Sequence, residues 1–177
     1  KVRGLNGCLA RSLRTGNVGE VGANGGFNLL LYRGSLNAGA TLQPAHDPIN
    51  TLSPDWMGVI PAQQPLKIID RAGVDINPLN PVDRLDYSRL LSYTWADQCA
   101  RLDHIKQIAP HQTIMVEQTD AVDWLPNRLS KQRNGTLHFV FHTIALQYFP
   151  QESKDKIAHA LSQAGKRATP ERPLGYI

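Results

Sequence analysis

The stretch "GNVGEVGANGGFNLLLY", Gly16 to Tyr32, carries five glycines in a short valine-bearing run and then turns apolar. Residues 17–21 are short, glycine-flanked and suited to a buried strand, and helical character resumes over residues 27–31. Glycines between a strand and a helix let backbone approach a ligand, and the helix start offers N–H groups to polar or anionic atoms. The dinucleotide fingerprint is Gly-x-Gly-x-x-Gly. Gly22-Ala23-Asn24-Gly25-Gly26-Phe27 fails it, with Asn24 and Phe27 where two glycines should stand. What fits is an acid followed by spaced glycines: Glu20, Gly22 and Gly26, with Asn24 inside the turn. A bare structural turn is the competing reading.

Working outward, "LKIIDRAGVDINPLNP" reads as a strand or strand pair ending at Pro78, with Asp75 just after its apolar run. Residues 88–108 carry Leu90, Leu91, Trp95, Cys99, Leu102 and Ile105 at three- and four-residue steps, which predicts one helix stopped by Pro110. A short strand over 113–116 leads to Asp120-Ala121 and a helix over 121–129 that contains Pro126. "GTLHFVFHTIALQYF" is rich in β-branched and aromatic residues and is the best strand in the chain, at least through Phe141. Residues 150–164 form a helix with Gly165 at an expected left-handed cap, and "PLGYI" begins a last strand. Residues 5–13 place Leu5, Cys8, Leu9 and Leu13 at helical spacing. Residues 33–65 show no periodicity and are longer than a compact connection, so they read as an irregular insertion, a substrate-side lid.

Strands alternating with helices predict a single α/β domain over residues 1–177, built on a mostly parallel five-strand sheet. Its glycine loop, Glu20 and the acids after the next two strands, Asp75 and Asp120, would then meet at the strand ends. For each acid alone the competing role is a solvated side chain or a helix N-cap.

The acid-glycine pattern resembles the first motif of Rossmann-like S-adenosylmethionine-dependent methyltransferases. "AGVDINP" resembles their second motif and "VEQTDAVDWL" their third acidic position. That resemblance implies a class I methyltransferase-type sheet with helices on both faces. It also implies an S-adenosylmethionine site made by Glu20, Gly22, Asn24, Gly26, Asp75, Asp120 and Ala121. The segments "EVGANGGFNLL", "GVDINPLNP", "RLLSYTWADQCARL", "FVFHTIALQYFP" and "AGKRATPERPLGYI" together resemble an uncharacterised bacterial family, domain of unknown function 2332. Members are roughly twice this length, which implies a chain truncated at both ends, without an N-terminal segment and the last strands. The family implies a fold and no activity.

Methyl transfer needs alignment and sometimes a base. The end of the fourth strand carries His142, Gln147 and Tyr148, the catalytic candidates, with a core or rim histidine as the alternative for His142. Trp95, Asp97 and Gln98 are substrate-side candidates, with a core position as the leading reading of Trp95 and a solvated helix face as the alternative for Asp97 and Gln98. No Asn-Pro-Pro-aromatic signature supports methylation of an amide or base nitrogen. His138 and His142 lack a third ligand of telling spacing, so no metal is expected, and no Gly-x-Ser-x-Gly elbow supports a serine hydrolase.

The net charge of +4 comes from scattered residues, without the basic stripe and interleaved aromatics of a nucleic-acid surface. Cys8 and Cys99 are the only cysteines, and two distant thiols fit a reducing cytoplasm at least as well as one disulfide. No apolar run reaches membrane-span length and no signal peptide opens the chain. The leading expectation is therefore a methyltransferase-like protein acting on a small molecule. A nicotinamide-type oxidoreductase and a non-catalytic binding protein that retains the fold are the alternatives.

Overall fold

The computed structural model describes residues 15–37, 41–43, 48–53, 55, 57–58 and 67–177. The chain enters β1 (Thr15–Val21), turns through the glycine loop into a 3-10 helix (Phe27–Arg33), and passes through β2 (Gly34–Asn37), β3 (Thr41–Gln43) and β4 (Asn50–Leu52). It returns in β5 (Lys67–Asp75), followed by α1 (Arg84–Ser92), α2 (Cys99–Ile108), β6 (Val116–Gln118) and α3 (Ala121–Ser130). It closes with β7 (Leu137–His142), α4 (Gln151–Arg167) and β8 (Leu174–Tyr176).

Five strands form one all-parallel sheet in the order β6-β5-β1-β7-β8. This is the Rossmann-like α/β architecture expected, with the chain reversing direction across the sheet between β1 and β7. Register fixes which side chains share a face, because successive residues of a strand point to opposite sides. Val21 pairs with Val74 and with His142, whereas Glu20 pairs with Gly73 and with Phe141. Val21, Val74 and Val140 therefore point to one face, where Trp124, Leu125 and Leu129 of α3 and Ile157 and Ala164 of α4 complete the main core. Gly19 leaves room there for the Trp124 ring, 3.2 Å from where a Cβ would stand. The other face carries the glycine loop and 3-10 helix. There Leu30, Ile49 and Ile108 form a second apolar cluster that ties α2 to the main body.

One polar row crosses the main-core face near the amino ends of the strands. Asn17 pairs in register with Asp70 on one side and His138 on the other. Arg128 reaches down from α3, donating to Asp70 at 2.5 Å and to the Val18 carbonyl at 3.0 Å.

Several expectations need correction. The helix expected over 88–108 is two helices. It starts earlier, at Arg84, because Asp83 caps it by accepting from the amides of Leu85 and Asp86. It breaks over 93–98, where Thr94 and Asp97 are poor helix formers, and Trp95 is exposed rather than core. The strand expected over 113–116 lies at Val116–Gln118. Gly165 is not a left-handed cap, since α4 continues to Arg167 and Ala168 ends it. The stretch 33–65 is not wholly irregular: its described strands form a second, three-stranded sheet in the order β3-β2-β4. Cys99 is a free, exposed thiol. Cys8 and the helix expected over 5–13 lie outside the described residues.

Candidate functional site

The glycine loop is held by its own chain. The amides of Gly22 and Ala23 both donate to the Val74 carbonyl, at 2.9 and 3.0 Å, and Gly26 donates to the Ala23 carbonyl at 2.7 Å. The Asn24 amide donates to Asp75 Oδ2 at 2.9 Å, and Asp75 Oδ1 accepts from the Asn77 amide at 2.9 Å. Gly22 and Gly26 have φ of 70° and 69°, a left-handed conformation that glycine adopts without strain. A Cβ at Gly22 would collide with that of Ala145, and one at Gly26 with Nε2 of Gln112. Gln112 clamps the loop from below. Its Nε2 donates to the Gly25 carbonyl at 2.7 Å while its Oε1 accepts from the Ile114 amide at 2.8 Å.

Glu20 lies at the carboxyl end of β1 and is fully buried. Its Oε1 accepts from Asn28 Nδ2 at 2.6 Å and from the Thr143 hydroxyl at 3.3 Å, while Asn28 Nδ2 also reaches Thr143 Oγ1 at 3.1 Å. Three elements thus meet on one carboxyl: the end of β1, the 3-10 helix and the turn after β7. Burial raises the Glu20 pKa to about 7; the bonds from Asn28 and Thr143 oppose that rise and the charge of Asp75 adds to it. The second oxygen, Oε2, is buried without a hydrogen-bond partner.

Glu20 and Asp75 border one cavity of about 640 Å³ over the carboxyl ends of β5, β1 and β7, a size suited to a small organic ligand. Gly22, Ala23, Asn24, Asn28 and Thr143 line its floor region, with Ile49 entering from just before β4 and Arg101 and His104 from α2. Ile144, at the lip, has φ of 67°, a strained backbone for a β-branched residue of the kind found at ligand sites.

Of the residues expected from sequence, the cavity gathers Glu20, Gly22, Asn24, Asp75 and Tyr148, with Gly26 behind the loop on Gln112. Others fall elsewhere. Asp120 caps α3, accepting from the Val122 amide at 2.8 Å, and Ala121 is in the main core; neither borders the cavity. Trp95, Asp97 and Gln98 are exposed in the turn between α1 and α2. His142 lies on the opposite face of the sheet from Glu20. With Gln147 it borders a separate hollow of about 490 Å³ against α4 and Tyr176. Burial lowers the His142 pKa. Sequence reasoning missed Asn28, Thr143 and the α2 residues. Thr143 lies two residues beyond Phe141, the strand partner of Glu20, a placement that only the paired register supplies. No group of three or more metal-ligating side chains occurs among the described residues, and no described helix is long and apolar enough to cross a membrane.

An open parallel sheet whose strand order reverses direction beside a cavity defines a Rossmann-like α/β domain. The chain belongs to the family described as an uncharacterized protein conserved in bacteria (DUF2332), whose model matches residues 11–177. No curated protein and no solved structure matches it.

Proposed function

We propose that the cavity binds S-adenosylmethionine and that the protein is a methyltransferase-like enzyme acting on a small molecule. The observation that carries this reading is that Glu20 and Asp75, acids at the ends of adjacent strands with the glycine loop between them, border one cavity. The residues fit such a ligand. Asp75 spends one acceptor site of each oxygen on loop amides and retains others for paired ribose hydroxyls. Glu20 keeps a buried oxygen without a partner, suited to an ammonium or hydroxyl donor. The Asp75 carboxylate at the floor favours a cationic ligand, and such a ligand would in turn favour the ionised form of Glu20. When bound, the sulfonium supplies an electrophilic methyl group, and the contribution of the chain is to orient it and exclude water.

A nicotinamide dinucleotide is the weaker candidate. Its diphosphate needs free loop amides, whereas those of Gly22, Ala23, Asn24 and Gly26 already donate within the chain. A non-catalytic binding protein is the second reading, favoured by His142 facing away from the cavity. Thermal melts with each ligand at millimolar concentration separate these. The expected result is a rise in Tm with S-adenosylmethionine and none with NAD. A rise with NAD alone would reverse the assignment, and binding without turnover on any acceptor would favour the second reading.

A further inference from the structure

One face of α2 runs down the cavity wall. Arg101, His104, Ile105 and Ile108 recur at three- and four-residue steps, the spacing of a single helix face, and all four border the cavity. Exposure falls along that face, from exposed Arg101 through half-buried His104 and Ile105 to buried Ile108. Ile108 is seated on Leu30 and Ile49, so the foot of the helix is fixed and Arg101 stands at the mouth. Away from this face, Lys106 is paired with Asp103 at 3.2 Å. Arg101 has no carboxylate partner among the described residues. His104 already has an interaction partner, so a free charge at the mouth falls to Arg101. Tyr93, Ile144 and Tyr148 are exposed on the same rim, and clustered exposed apolar side chains beside a cavity mark a binding surface. The cavity is therefore polarised, with two acids at the strand ends and one guanidinium with tyrosines at the mouth.

We infer that the outer half of the cavity takes a small organic carboxylate with an apolar or aromatic body. The Arg101 guanidinium receives the carboxylate, and Tyr93 and Tyr148 meet the body. The planar fork of arginine matches the two oxygens of a carboxylate. Asp75 repels an anion from the inner half, joined by Glu20 as it ionises above about pH 7, which fixes the direction of entry. That this carboxylate is the methyl acceptor rests on the proposed function; the anion site itself does not.

The test is calorimetric titration of phenylacetate and of its neutral isostere phenylacetamide into the full chain, as wild type, Arg101→Gln and Arg101→Lys. The expected result is binding of phenylacetate in preference to the amide, weakened roughly ten- to a hundredfold in Arg101→Gln and less in Arg101→Lys. Unchanged circular dichroism melts would show that the variants are folded. Equal binding of acid and amide, undiminished binding by Arg101→Gln, or no binding of phenylacetate at millimolar concentration would overturn the inference. S-adenosylhomocysteine titrated into wild type reports on the cofactor reading separately. Arginine-dependent phenylacetate binding without S-adenosylhomocysteine binding keeps the anion site and removes only its role as acceptor site.

Discussion

Glu20 is a carboxyl group whose burial works against its own charge. With an ordinary value of 4.5 and a folded value of about 7, it binds a proton more tightly in the folded chain than in the unfolded one. Its contribution to stability is fully present below pH 4.5 and is lost as pH rises through 7. Glu20→Gln keeps an acceptor for Asn28 and removes the titration. The variant should be more stable than wild type at about pH 8, by on the order of 3 kcal/mol. His138 acts in the opposite sense. It is buried beside Arg128 with neither ring nitrogen bonded, and burial, with the Arg128 charge, lowers its pKa from 6.5 to about 4. Its contribution is present above pH 6.5 and is lost as pH falls through 4. Between about pH 4.5 and 6.5 the two effects oppose each other, so wild type should show a shallow profile there. Urea melts across pH check this: Glu20→Gln should gain stability with rising pH and His138→Leu should lose it. Parallel profiles for the two variants would contradict the assignment.

Among the elements, α3 separates two roles that one residue could have filled. Asp120 follows the third strand of the sheet, where sequence reasoning expects a cofactor contact, yet its carboxylate is spent on the first turn of the helix. Asp120→Ala should therefore cost about 1 kcal/mol of stability and leave S-adenosylmethionine affinity unchanged. A fall in affinity at unchanged stability would restore the cofactor role. The strands β1, β5, β7 and β8 were legible as short runs carrying apolar residues with a glycine or proline close to at least one end. The face of each residue was not. His142 is one residue beyond Phe141, and that single step turns it away from Glu20 and toward α4. Register depends on pairing between distant strands, including the irregularity between Gly16 and Asn17, and no local pattern encodes it. The break between α1 and α2 was hidden for a related reason: Trp95 keeps helical spacing with Leu91 and Cys99 although no neighbour buries it.

At the scale of the whole molecule, the topology makes the site. The crossover from β1 to β5 carries the glycine loop, the 3-10 helix and the second sheet, and it delivers Ile49 to the cavity wall. The sequence announced that stretch only as missing periodicity, because strands as short as β3 and β4 carry too few residues to show alternation. The acids at the carboxyl ends of β1 and β5 were legible as a pair, and the structure brings them to one cavity. Asn28 and Thr143, which hold Glu20 in place, come from segments that meet only after folding. On the proposed function, this acid-floored cavity holds S-adenosylmethionine. Calorimetric titration of that ligand into wild type and Asp75→Asn tests it most directly. Saturable binding to wild type is expected, weakened roughly tenfold or more in Asp75→Asn. No binding at millimolar concentration, or equal affinity in the two proteins, would contradict it.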